Sequence, residues 1–223
     1  RSNEAKELGI PMGAPAHEIA DKIKEYNINV FSANFALYGD MSRRVMTILE
    51  DYSPNSEIYS IDEIFLKLSG FENYDLQAYG EEMHTKVHKW TGVPISVGIA
   101  PTKALAKVAN RIAKKFPQKT KGVYVINSDE QRVKALKWLK IEDVWGIGRQ
   151  HAKRLKTLNI NTAFDFSEFN STWVKKNMTI TGFRLQQDLK GIPTLDLESM
   201  QIKKNIATTR SFERNYTELE DLK

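Results

Sequence analysis

The sequence has no cysteine. Disulfides and thiolate-bound metals are thereby excluded, and the composition suits a cytoplasmic protein. Long apolar runs are absent too: none approaches the ~18 residues that a membrane span requires, so no membrane partner is expected. Histidine is scarce. None of His17, His84, His88 and His151 stands at a metal-ligand spacing shared with acids, and all four read as structural or exposed. The first residue is Arg1, not methionine, and the chain reads as a piece cut from a longer protein. What is present is a globular composition. At 41% hydrophobic content, 223 residues can bury the core of one large domain or of two to three small ones.

A net charge of +5 hides an uneven distribution. Residues 1 to 100 carry 9 basic and 15 acidic side chains, residues 101 to 160 carry 15 and 4, and residues 161 to 223 carry 9 of each. The middle segment is the cationic one, and such a concentration points to a polyanion, nucleic acid first. A solvated lysine-rich surface would share that composition.

The acids matter most in Glu57-Ile58-Tyr59-Ser60-Ile61-Asp62-Glu63-Ile64-Phe65-Leu66-Lys67-Leu68-Ser69. Ile64, Leu66 and Leu68 alternate with Phe65 and Lys67 at the period of a strand with one buried face, so the stretch reads as two strands meeting at an acidic corner. Adjacent side chains on a flat strand point to opposite faces. Asp62 and Glu63 therefore serve one site only at a turn or bulge, which a hairpin apex supplies. Carboxylates at the end of a rigid sheet suit hard cations such as Mg²⁺, which take oxygen ligands and share them with substrate phosphates. A solvated turn is the ordinary reading of an Asp-Glu pair.

Helical spacing is expected from Arg1 to Gly9 and from Ala16 to Tyr26, around a turn cluster of Gly9, Pro11, Gly13 and Pro15. An extended piece, Ile28 to Ser32, leads to a helix from about Ser42 to Tyr52, which Pro54 stops. After the acidic hairpin come a helix from about Asp75 to Trp90 and a buried strand from Pro94 to Ile99. From residue 42 the order is helix, strand, strand, helix, strand. It matches a split β-α-β core from the second element onward, so the expected fold class is α+β, a ferredoxin-like core lacking its first strand. A strand from upstream would pair beside the hairpin.

Thr102 is placed to cap a helix running to about Lys115. On a helical wheel Lys103, Lys107, Arg111 and Lys114 fall on one side, and Leu105, Val108, Ala109 and Ile112 on the other. One face packs, and the other is a candidate phosphate-binding wall. Gly122 to Ile126 is a further strand. Beyond Ser128 the pattern is helical: a helix marked by Val133, Leu136 and Leu139, a tight turn Val144-Trp145-Gly146-Ile147-Gly148, and a helix from Arg149 to Leu158. This is a helix-hairpin-helix, whose glycines expose backbone N–H groups to nucleic-acid phosphates while Arg149, Lys153 and Arg154 add charge. Helical turns continue to Lys190, and Lys203 to Phe212 alternates like a strand.

Four stretches gain meaning from their order and spacing. They are Phe31-Ser32-Ala33-Asn34-Phe35-Ala36-Leu37-Tyr38-Gly39-Asp40-Met41-Ser42, Ser60-Ile61-Asp62-Glu63, Gly98-Ile99-Ala100-Pro101-Thr102-Lys103 with Leu105-Ala106-Lys107-Val108-Ala109-Asn110, and Val144-Trp145-Gly146-Ile147-Gly148-Arg149. Together they resemble the Y family of lesion-bypass DNA polymerases and, within it, the bacterial UmuC branch. The resemblance implies partial helical fingers at 1–33, a palm at 34–127, an all-helical thumb at 128–195, and at 196–223 a linker and the first strand of a little finger. It implies that Asp62 and Glu63 are catalytic carboxylates holding Mg²⁺, and that Lys6 and Lys114 contact the triphosphate of the incoming nucleotide. It also implies that Gly146, Gly148, Arg149, Lys153 and Arg154 grip primer-template DNA.

A first palm strand, with a third metal-binding Asp and an aromatic that excludes ribonucleotides, is implied upstream of Arg1. Without it the 223 residues are expected not to polymerise. The whole protein is expected to add deoxynucleotides to a primer 3′ end by a two-Mg²⁺ mechanism during error-prone translesion synthesis in DNA repair and the SOS response. A processed UmuD dimer, RecA and the sliding clamp are the implied partners. Two other readings of the same residues stand beside this one: a non-catalytic DNA-binding module built on the helix-hairpin-helix, and a two-metal nuclease. The nuclease would need more carboxylates or a histidine near the acids.

Overall fold

Apolar periodicity and helix caps account for most elements of the structure, a computed structural model that describes residues 1–71, 73–198, 205–209 and 220. The chain divides into two units, Arg1–Met41 and Ser42–Lys223. In the first, Ser2 caps α1 (Asn3–Glu7) by accepting from the Ala5 N–H at 3.2 Å. A 3-10 turn, Ala16–Ile19, leads into α2 (Ala20–Glu25). Ile10 is buried, and the Lys22 ammonium donates to the Leu8 carbonyl at 2.9 Å, fixing the exit from α1. The expected extended piece from Ile28 to Ser32 has no regular structure.

Helix α3 (Phe35–Glu50) starts well before the expected Ser42. Asn34 is the reason: its Oδ1 accepts from the Leu37 N–H at 3.0 Å, as an N-cap does. The apolar pattern concealed this turn because Phe35, Leu37 and Tyr38 are exposed, not part of a buried stripe.

In the second unit Val45, Ile48 and Leu49 of α3 pack with Tyr52 and with Met83 and Val87 of α4 (Leu76–Thr91). Asp75 caps α4 by accepting from the N–H groups of Gln77 and Ala78, and Gly92 ends it in a left-handed conformation. Between α3 and α4 lies the hairpin of β1 (Ser56–Ser60) and β2 (Glu63–Leu66), paired antiparallel with Glu57 opposite Phe65 and Ser60 opposite Glu63. Ile64 and Leu66 close the cluster built by α3 and α4, as their alternation foretold. Glu57, Phe65 and Glu63 consequently share the other face.

Strand β3 (Val97–Ile99) is shorter than the expected Pro94 to Ile99 and pairs in parallel with β4 (Val123–Val125). Two helices connect them, α5 (Lys103–Lys115) and α6 (Pro117–Thr120). A methyl group at Gly98 would overlap the backbone of Ala106 and Asn110, so α5 lies directly against the strand. Thr102 caps α5 where expected: its Oγ1 accepts from the Leu105 N–H at 3.3 Å and donates to the Asp188 carbonyl at 2.8 Å. The described strands form two separate two-stranded sheets, β1-β2 and β3-β4.

The larger core lies on the apolar face of α5. Leu105, Val108, Ala109 and Ile112 meet residues of α7 (Asp129–Trp138), α8 (Arg149–Lys156), α9 (Ala163–Glu168) and α10 (Ser171–Leu189). Leu136, Ile141, Phe166, Val174 and Leu189 are wholly covered there. Each such side chain contributes about 1.5–3 kcal/mol of burial. No described helix is long and apolar enough to cross a membrane. Of the expected strand from Lys203 to Phe212, residues 205–209 have no regular structure and the rest lies outside the described residues.

Candidate active site

The site is built where the polar face of the hairpin meets the polar face of α5. A two-residue turn, Ile61 and Asp62, joins β1 to β2, and the strand register slips between Ile58 and Ser60. That slip bends the apex, which is the condition for adjacent acids to serve one place. Asp62 is exposed at the tip, where its Oδ1 accepts from Ser60 Oγ at 2.7 Å. Glu63 opens β2 and turns toward α5, where Lys107 Nζ donates to its Oε1.

One turn earlier on α5, Lys103 donates to Oε2 of Glu57, the next acid along the same hairpin face. This second pair is shut in, with side chains 10% and 9% exposed, and Glu57 Oε2 also receives the Glu198 N–H at 2.7 Å. Aromatic rings fill the space between the acids. Tyr59 and Phe65 meet edge to face at 5.7 Å between centroids, and Trp145 packs on both, at 5.7 and 6.1 Å. The ammonium groups of Lys103 and Lys107 lie over Phe65 and Tyr59. Arg111 continues the cationic stripe to Asp143 at 2.6 Å.

Sequence reasoning placed Asp62 and Glu63 at a bent apex and the lysines of α5 on one face, and the structure brings Glu63 and Lys107 together. It missed Glu57 and Trp145. Glu57 carried a signal in its parity, since it is two residues from Tyr59 and shares that face, but its partner lies 46 residues away in the chain. Lys114 stands about two turns beyond Lys107 along α5, in a depression lined by Glu81, His84, Ser96, Lys121 and Gly122. Lys6 belongs to the first unit, where its ammonium donates to Asn3 Oδ1 at 3.0 Å.

The turn expected to bind DNA is in place as a turn. Gly146 has φ +87, open to glycine at little cost, and Gly148 is the N-cap of α8. Arg149, Lys153 and Arg154 are exposed on α8. Arg154 donates to Asn177 Oδ1 at 2.6 Å and lies over the Trp173 ring.

A donor set of two carboxylates and a serine hydroxyl, all oxygen, fits Mg²⁺, which keeps much of its water shell and needs one or two carboxylates besides substrate phosphates. Among the described residues no group of three or more His, Asp and Glu side chains gathers to hold a metal.

Residues 1–111 match the model of the impB/mucB/samB family, and the chain belongs to that family. Over 225 residues it is 42% identical to Protein UmuC of Salmonella typhimurium, which takes in 100% of this chain and 53% of that protein. It is 28% identical over 221 residues to DNA polymerase IV of Francisella tularensis subsp. novicida, covering 98% of this chain and 59% of the other. The chain thus spans about half the length of the relatives it matches. An insertion ternary complex of Dbh DNA polymerase has a similar fold, with a TM-score of 0.71 at 24% identity over 88% of this chain and 56% of the other. A Y-family DNA polymerase chimera aligns at a TM-score of 0.67 and 24% identity, over 91% of this chain and 57% of its own. The mixed α/β fold is that of Y-family polymerase structures.

Proposed function

We propose that the chain is the palm, partial fingers and thumb of a translesion DNA polymerase, one that adds deoxynucleotides to a primer 3′ end in DNA repair and the SOS response. The observation that carries this reading is the acidic apex of the β1-β2 hairpin facing the lysine stripe of α5, in a chain of the impB/mucB/samB family. In this reading residues 34–127 are a ferredoxin-like palm. The two separate strand pairs are the parts of one sheet, to be joined by a further strand that brings a third carboxylate. Residues 128–195 form the thumb.

Asp62 and Glu63 would hold Mg²⁺. Two such ions, when bound, stabilise charge on the attacking and leaving oxygens of an in-line phosphoryl displacement. The protein's own part is positioning and electrostatics. Lys6 and Lys114 would meet the triphosphate, and the turn at Gly146 and Gly148 would hold the DNA backbone with Arg149, Lys153 and Arg154. Contacts of that kind are independent of base sequence and weaken steeply with salt. UmuD, RecA and the sliding clamp remain proposed partners of the whole protein.

Primer extension tests the reading. The chain alone is expected not to extend a primer, and a longer form that includes upstream residues is expected to do so. In that form Asp62→Ala and Glu63→Ala should each abolish extension while DNA binding stays nearly intact. Extension by both variants would remove the acids from the chemistry. The exposed basic residues of α8 favour a second reading, a DNA-binding module without catalysis. It gains if the longer form binds primer-template DNA but never extends it.

A further inference from the structure

The acid assigned to the metal is already held by a cation. Lys107 Nζ bonds Glu63 Oε1, and the side chains of this pair are 22% and 37% exposed, so water and ions reach it. The backbone beneath is fixed, because Leu105, Val108 and Ala109 of α5 are buried in the larger core. The ammonium, by contrast, ends a flexible four-carbon stem and lies over the Tyr59 ring, 6.0 Å from its centre. A carboxylate oxygen that accepts an ammonium proton has that lone pair engaged, and a divalent ion must displace the ammonium to use it. Even when swung aside, a lysine tethered one side chain away repels a doubly charged ion.

We propose that Lys107 is a built-in competitor for the metal, a positioning residue whose ammonium occupies the Glu63 carboxylate in the metal-free protein and sets the divalent-ion affinity of the acidic apex. The inference rests on the reading of Asp62 and Glu63 as metal-holding. It assigns different tasks to neighbouring lysines of one stripe: Lys103 is locked on Glu57, while Lys107 yields. Metal arrival would release the Lys107 ammonium beside the place where phosphates collect.

The test is Mn²⁺ binding to the 223-residue chain, followed by the electron paramagnetic resonance signal of free Mn²⁺, for the native sequence and for Lys107→Met, Lys107→Arg and Glu63→Gln. Removing a single positive charge about 5 Å from a divalent ion in water-like surroundings corresponds to roughly tenfold in affinity. Lys107→Met should therefore bind Mn²⁺ about tenfold more tightly, Lys107→Arg should stay near the native affinity, and Glu63→Gln should lose the site. A measurement on the native chain needs no substitution: the side-chain ammonium resonance of Lys107 should shift on Mg²⁺ addition and saturate with it. Unchanged or weaker binding by Lys107→Met, or a Lys107 resonance indifferent to Mg²⁺, overturns the inference while Glu63 keeps its metal. If Glu63→Gln binds Mn²⁺ as the native chain does, the metal reading falls and takes the inference with it.

Discussion

Lys103 and Lys107 leave one face of α5 a single turn apart and meet Glu57 and Glu63 on one face of the same hairpin. The chemistry of the two pairs is identical, and burial separates them. At the closed end both side chains are about nine-tenths covered, and a backbone N–H from Glu198 shares the carboxylate. At the open end the glutamate is more than a third exposed. A buried charge that loses its partner has no water to turn to, whereas an exposed one is re-solvated at once. The closed pair therefore fastens the hairpin to α5 and to the segment that follows α10, and the open pair can exchange its cation.

The largest expected effect breaks the closed end. Lys103→Met or Glu57→Leu alone should lower stability by about 3–5 kcal/mol in denaturant titration, because each leaves a buried charge without its counter-charge. The double replacement Lys103→Met with Glu57→Leu should recover most of that loss, since no buried charge remains and the Glu198 N–H, on an exposed residue, turns to water. At the open end Lys107→Met should cost only about 0–1 kcal/mol. Equal costs at the two ends would erase the comparison. A double replacement no better than its worst single member would mean that the residues act by shape and not by charge.

The contrast also marks what could be read from the residues alone. Helix α5 was legible to its ends, because Thr102 signals a cap and a strict apolar stripe runs from Leu105 to Ile112. The hairpin apex was legible because two adjacent acids follow a β-favouring run, and Ile64 and Leu66 alternate as a half-buried strand does. Other boundaries were not. The first turns of α3 present Phe35, Leu37 and Tyr38 to solvent, so no periodic stripe announces them, and β3 is cut to three residues because Val97 is the first to find a parallel partner, Val123. Which lysine meets which glutamate depends on how α5 packs across more than 40 residues of chain. A wheel gives the face of a helix but not the height at which a partner waits, and Lys114, on the same face, lies beside His84 and Lys121.

A carboxylate held by N–H groups, with no ammonium beside it, sharpens the comparison at its smallest scale. Asp165 Oδ2 accepts from the backbone N–H groups of Asn161 and Thr162 at 3.0 and 2.9 Å, while Thr162 Oγ1 accepts from the Asp165 N–H at 3.1 Å, a capping box at the start of α9. Burial pushes the Asp165 carboxyl up, but the bonds from Asn161 and Thr162 outweigh it and hold the group below the ordinary aspartate range. A pKa lowered by folding contributes stability above the unfolded-chain value and loses it as pH falls through the folded one. The stability gap between the native chain and Asp165→Asn, about 1 kcal/mol at neutral pH for a half-buried capping group, should therefore shrink as acid is added below the ordinary aspartate pKa. Denaturant titrations of both chains down that pH series check it. Added salt should screen the Lys107–Glu63 pair and leave the Asp165 gap nearly unchanged, because its bonds are short-ranged and made to the backbone. A gap that stays constant into strong acid, or one that salt removes, would mean that Asp165 acts as a general surface charge and not through its cap.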